Sequence, residues 1–122
     1  MSRVLVCGDR HWSDRKFLED YLDKIKIDTL IQGDCSGADI MAKEYAERKK
    51  IPCLSFPALW NEYGKRAGPI RNALMLEEGK PDFVVAFHDD IENSKGSKDM
   101  KNKAKEAGLP VVVASHVRIY LA

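Results

Sequence analysis

Short runs of consecutive apolar residues alternate along this chain with longer stretches whose apolar residues recur at helical spacing. Val4-Leu5-Val6-Cys7 reads as a buried first strand, ended by Gly8-Asp9-Arg10. Phe17, Leu18, Tyr21, Leu22 and Ile25 then share one face of a helix that Ser13 or Asp14 can cap. Thr29-Leu30-Ile31 is a second strand, stopped by Gly33-Asp34, and Ser36 opens a second helix with Ala38, Met41, Ala42, Tyr45 and Ala46 as its stripe. Residues 52–56 form a third strand, followed by a loop carrying Trp60, Tyr63 and Gly64. Gly68-Pro69 start a third helix, since proline at the first helical position gives up no needed hydrogen bond, and Gly79 and Pro81 stop it. Residues 83–87 are a fourth strand, 88–95 a polar loop, 97–107 a helix ended by Gly108, and 110–113 a fifth strand. Residues 116–122 add a short edge element.

Strands that are apolar on both faces and separated by helices predict an α/β fold: an open parallel sheet of about five strands with helices on both faces. At 122 residues the chain fits a single domain, without internal repeats or a low-complexity tail. Lys and Arg number 20 against 19 Asp and Glu, a net charge of +1 that argues against a dedicated electrostatic nucleic-acid binder. Three cysteines, Cys7, Cys35 and Cys53, make neither a disulfide framework nor a zinc knuckle. No signal peptide or membrane-length apolar run is expected, and a reducing cytoplasm is the simplest setting.

In open parallel sheets ligands bind beyond the carboxyl ends of the strands, and the glycine and polar residues fall there. Gly8-Asp9-Arg10 follows the first strand, Gly33-Asp34-Cys35-Ser36-Gly37-Ala38-Asp39 the second, and Gly96-Ser97 precedes the last helix. Glycine turns leading into helix N-termini present N–H groups suited to a phosphate. Arg10 and Arg71 can add bidentate charge, and Trp12 or Trp60 a flat face for a base. Plainer readings stand beside these. Ser36 and Asp39 fit a capping box with Asp in place of Glu. Gly8 can serve only a tight turn, and Trp60 and Tyr63 can plug the core under a loop. His11, His88 and His116 stand apart from cysteines and carboxylate pairs at ligand spacing, so no metal site is expected. Asp89-Asp90 reads as a solvated pair, Cys35 as a passive thiol, and the lysines from 95 to 105 as a solvated helix face.

Taken together, Gly8-Asp9-Arg10-His11-Trp12, the segment Gly33 to Asp39, Phe56-Pro57-Ala58-Leu59-Trp60, Ala67-Gly68-Pro69-Ile70-Arg71-Asn72 and Ser94 to Met100 resemble the SLOG superfamily. That superfamily is named for the DNA-processing Smf proteins and the Lonely Guy phosphoribohydrolases, and the likeness is to its small YspA-like branch. The resemblance implies a Rossmann-like, nucleotide-binding fold and homo-oligomers. The chain departs from the Lonely Guy pattern in three places. Asn72 follows Arg71 where that pattern has lysine, the phosphate loop is reduced to Gly96-Ser97, and Met100 falls where the catalytic glutamate is expected, with Asp99 one residue before.

The expected function is binding of a nucleotide or nucleotide-derived ligand, ADP-ribose-like or a cyclic signal, by a sensor, carrier or sequestering protein. The site would comprise Gly8, Asp9, Arg10, Trp12, Gly33, Asp34, Ser36, Gly37, Asp39, Trp60, Arg71, Asn72, Gly96 and Ser97. One alternative is a nucleoside 5′-monophosphate N-glycosidase using Arg71 and Asp99 as catalytic residues. The other is a single-stranded DNA binder, against which near-neutral charge and few aromatics weigh. No cofactor, metal or membrane partner is expected.

Overall fold

The aliphatic run at the N-terminus becomes the middle of the sheet. In the computed structural model, which describes residues 2–122, strand β1 (Arg3–Gly8) has Val4, Leu5 and Val6 fully buried. It pairs in parallel with β2 (Thr29–Gln32) on one side and β4 (Phe83–Phe87) on the other. Strand β3 (Cys53–Ser55) adds outside β2 and β5 (Val111–Ala114) outside β4, both parallel. The edge element predicted over 116–122 is a sixth strand, β6 (Ile119–Leu121), antiparallel to β5. The order is therefore β3-β2-β1-β4-β5-β6, an open Rossmann-like sheet. Chain direction from β1 reverses between β2 and β4, which leaves a crevice beyond the carboxyl end of β1.

Because alternate strand residues face opposite ways, the sheet has two cores. Helices α1 (Arg15–Asp23) and α2 (Ala38–Lys49) cover one face, where Leu18, Leu22, Ala42, Tyr45 and Ala46 pack with Val4, Val6 and Val85. Helices α4 (Ala67–Gly79) and α5 (Gly96–Glu106) cover the other, where Met75, Met100 and Ala104 pack with Leu5, Val84 and Val113. Of the two candidate caps for α1 it is Asp14 that serves, accepting the Phe17 N–H at 3.0 Å.

The stretch after β3 is more regular than the expected loop. A single turn, α3 (Trp60–Tyr63), and a 3-10 turn (Gly64–Arg66) run into α4. That helix starts at Ala67, so Pro69 lies inside its first turn, where a missing N–H still costs nothing. The loop after β4 holds a 3-10 turn at Ile91–Asn93. No helix among the described residues is long and apolar enough to cross a membrane.

Candidate functional site

The tips of β1 and β4 and the start of α2 meet because glycines let backbones approach where a side chain would not fit. A Cβ on Gly8 would lie 2.3 Å from the Phe87 carbonyl oxygen and 2.8 Å from the Ala38 Cβ. One on Gly37, whose φ is +80°, would lie 2.3 Å from the Asp9 carbonyl oxygen. Hydrogen bonds close the same junction. Asp9 donates its N–H to Phe87 O at 2.9 Å and accepts the Ala38 N–H at 3.2 Å. Ser36 Oγ donates to Arg10 O at 3.2 Å, and the Asp9 carboxylate accepts the His11 N–H at 2.9 Å. The Arg10 side chain is exposed.

Helix α4 reaches the tip of β2 and the start of α5 through Arg71 and Asn72. Arg71 Nη1 donates to Gly33 O at 2.6 Å and Nε to Asn72 Oδ1 at 3.0 Å, which leaves Nη2 without a protein partner among the described residues. A Cβ on Gly33 would lie 2.5 Å from Arg71 Nη1, so the guanidinium seats directly on a glycine. The buried Asn72 amide continues the chain, donating to Gly96 O at 3.2 Å and to Asp99 Oδ2 at 3.0 Å. Lys103 Nζ donates to Asp99 Oδ1 at 2.6 Å. Met100 points the other way, fully buried in the core with Leu5 and Met75. A turn of about 100° per residue separates the two side chains.

Asp39 and Ser36 do not form a capping box. The helix begins one residue later than that pattern requires: Gly37 takes the cap position without a side-chain bond, and Ser36 turns to Arg10. The Asp39 carboxylate instead reaches back to the Cys35 N–H at 3.2 Å. Gln32, fully buried, accepts the Asp34 N–H at 2.5 Å and donates to Ser55 Oγ at 2.6 Å. Asp34, at φ +59°, is held further by Lys43 at 3.0 Å. The amides of Asp34 and Cys35 are thus satisfied internally. Those of Ser36, Gly37, Gly96 and Ser97 have no hydrogen-bond partner among the described residues. Sequence reasoning missed Gln32, because a glutamine at a strand end carries no spacing signal.

Burial pushes the Asp39 carboxyl up to about 6, against the pull of the Cys35 N–H, Arg71 and the Gly33 N–H. The unfolded chain loses this proton near 3.8, so between about pH 4 and 6 the folded protein binds the extra proton. Stability from this group is therefore full at the acid end and declines as pH rises through 6, by roughly 3 kcal/mol. Asp39→Asn is expected to remove that decline. Urea denaturation of both proteins from pH 4 to 7.5 measures it, and parallel curves would refute the assignment.

Of the two tryptophans, Trp12 has no free face for a base. It is 5% exposed, edge-on to Phe17 and covered by the His116 ring, stacked at 4.7 Å and 9°. Trp60 is 59% exposed on α3, its ring against Gly68, so it does not plug the core. Beside it, Phe56, Leu59, Tyr63, Ala67, Ile70 and Leu74 line a hollow of 270 Å³ that Arg71 also borders. Cys7, buried at the tip of β1, has its thiol pushed up by burial and by Asp39.

His116, which sequence spacing set apart from carboxylates, lies between two of them. Its Nε2 is 2.8 Å from Asp14 Oδ2 and its Nδ1 2.8 Å from Asp89 Oδ2, while its N–H donates to Asp89 Oδ1 at 2.7 Å. Bonds first to Asp89 and then to Asp14 raise its pKa, favouring the imidazolium. Asp89 and Asp90 are both exposed, as expected of a solvated pair, and Asp89 in addition tethers His116.

Residues 2–63 match a family model described as YAcAr, a YspA, cpYpsA-related SLOG family. The chain is also similar to the Gene 61 protein of Mycobacterium phage D29, at 32% identity over 92% of this chain and 95% of that protein.

Proposed function

The chain belongs to the YspA, cpYpsA-related SLOG family, and from that premise we propose that it binds a nucleotide or nucleotide-derived ligand beyond the carboxyl ends of its strands. It would act as a sensor, carrier or sequestering protein. The observation that carries this reading is Arg71. Its guanidinium is braced on Gly33 O and Asn72 yet retains an unused Nη2, beside a hollow with apolar walls. A phosphate there would draw on Arg71 and on the unpartnered amides at Ser36-Gly37 and Gly96-Ser97, the starts of α2 and α5. Gly8, Gly33 and Asp9 give these groups their close spacing, Asp34 and Asp39 brace the second loop, and Arg10 stands exposed at its rim. The base would enter the hollow against Phe56 and Tyr63, with Trp60 at its edge. Exposed Leu59, Trp60 and Leu74 also suit contact between copies in a homo-oligomer.

Binding without turnover fits the acidic groups best. Met100 is committed to the core, and both Asp99 oxygens are taken by Asn72 and Lys103. A carboxylate so held is poorly placed to move a proton in glycoside cleavage. The test is a thermal-shift panel of AMP, ADP-ribose and cyclic dinucleotides, with free base followed by chromatography on the same samples. A rise in melting temperature with ligand excess, and no base released, is the expected outcome. Base release that disappears in Asp99→Asn would replace this reading with the glycosidase one, and no shift with any nucleotide would remove both.

A further inference from the structure

A second, shallow and open surface depression lies between the 3-10 turn, α4 and α5. It has a volume of 480 Å³ and is lined by Lys65, Arg66, Pro69, Ile70, Ala73 and Lys103. Three of these six are cations, none is an acid, and the others make an apolar floor. Lys65 and Arg66 have no acidic partner among the described residues, while Lys103 is paired with Asp99. In a chain of net charge +1 such a convergence is local, and adjacent like charges are kept apart from acids only at a cost in repulsion. Cations rimming an apolar floor suit an anion carried on an organic group.

This hollow is joined to the strand-tip site in two ways. Ile70 walls both hollows. The hydrogen-bond chain Lys103–Asp99–Asn72–Arg71–Gly33, with links of 2.6, 3.0, 3.0 and 2.6 Å, runs from one to the other. An anion at Lys103 competes with Asp99 for the ammonium, and Asp99 is the group that holds Asn72 against Arg71.

We propose that the Lys65–Arg66–Lys103 hollow is a second anion subsite, and that the ligand is a nucleotide bearing two separated phosphates rather than one. This rests on the nucleotide reading above, with the first phosphate at Arg71. The first phosphate and base take the strand tips and the smaller hollow, and the second phosphate crosses Ile70 to the cationic one.

The experiment titrates the full chain by calorimetry with AMP and with the linear dinucleotide pApA, against a Lys65→Ala/Arg66→Ala double variant. Both substituted side chains are exposed, so the variant keeps its melting temperature. The expected result is about tenfold tighter binding of pApA than of AMP, lost in the variant while AMP affinity changes less than about twofold. Equal affinity for the two probes in the unaltered protein overturns the subsite, as does a variant that leaves the pApA preference in place. If neither probe binds, this subsite is overturned, whereas the nucleotide reading falls only if ADP-ribose and cyclic dinucleotides also give no thermal shift. If AMP binds normally and pApA gains nothing, only the subsite fails.

Discussion

Gly8→Ala is expected to destabilise the protein by about 3 kcal/mol, at the upper end for added bulk in a packed interior. The new methyl would stand 2.3 Å from Phe87 O and 2.8 Å from the Ala38 Cβ, on a backbone at φ +157°. Neither neighbour is a flexible side-chain end. Phe87 is the last of five residues pairing β4 with β1, and Ala38 is the first residue of α2. Relief requires parting the two central strands or lifting the helix, and either also breaks the Asp9–Phe87 hydrogen bond. Gly96→Ala is the control: nothing lies within 4 Å of its Cβ, and it begins a helix, so a gain of up to about 1 kcal/mol is expected. Urea denaturation of the two variants separates close approach from a general intolerance of glycine replacement. Equal small effects would show that the strand tips do not meet as described.

Arg71→Ala should weaken AMP binding by about a hundredfold if the guanidinium meets phosphate, since a charge-assisted hydrogen bond contributes roughly 1.5–3 kcal/mol. Lysine at this position should recover only part of the loss. An ammonium can reach Gly33 O or the ligand, but it lacks the fork that bonds Gly33 and Asn72 while keeping Nη2 unused. The alanine variant also strands a buried carbonyl at Gly33, so a stability loss of about 1 kcal/mol should accompany it. Calorimetry with AMP, run well below the melting temperature, keeps the two effects apart. Unchanged affinity in Arg71→Ala would move the anion site elsewhere.

What the amino-acid pattern reveals here divides by range. The central parallel strands are legible because they are apolar on both faces, and Gly8, Gly33 and Gly37 because a glycine at a strand tip is a local backbone signal. The four-residue helix α3 is too short to show a period. Ser36 and Asp39 have the spacing of a capping box, but the positive φ of Gly37 shifts the helix start by one, and the carboxylate turns to the loop. Trp12 reads as an available ring until the fold brings His116 over it. The His116 tether is invisible in sequence because its partners come from the first helix cap and the fourth strand's loop. Arg71 is singled out in sequence by guanidinium chemistry suited to a phosphate, and its bonds to Gly33 and Asn72 become visible only with the fold.

The central place of β1 has a consequence for synthesis. Val4 pairs with Phe83, and Asp14 meets His116 across 102 positions of sequence. A nascent chain leaving the ribosome must therefore carry its central strand with one edge bare until the fourth strand has emerged. The imidazole clasp can fasten only once residue 116 has emerged as well. The sheet therefore closes only after residues 83–87 are available, and fragments truncated before residue 83 should be ready prey for proteases.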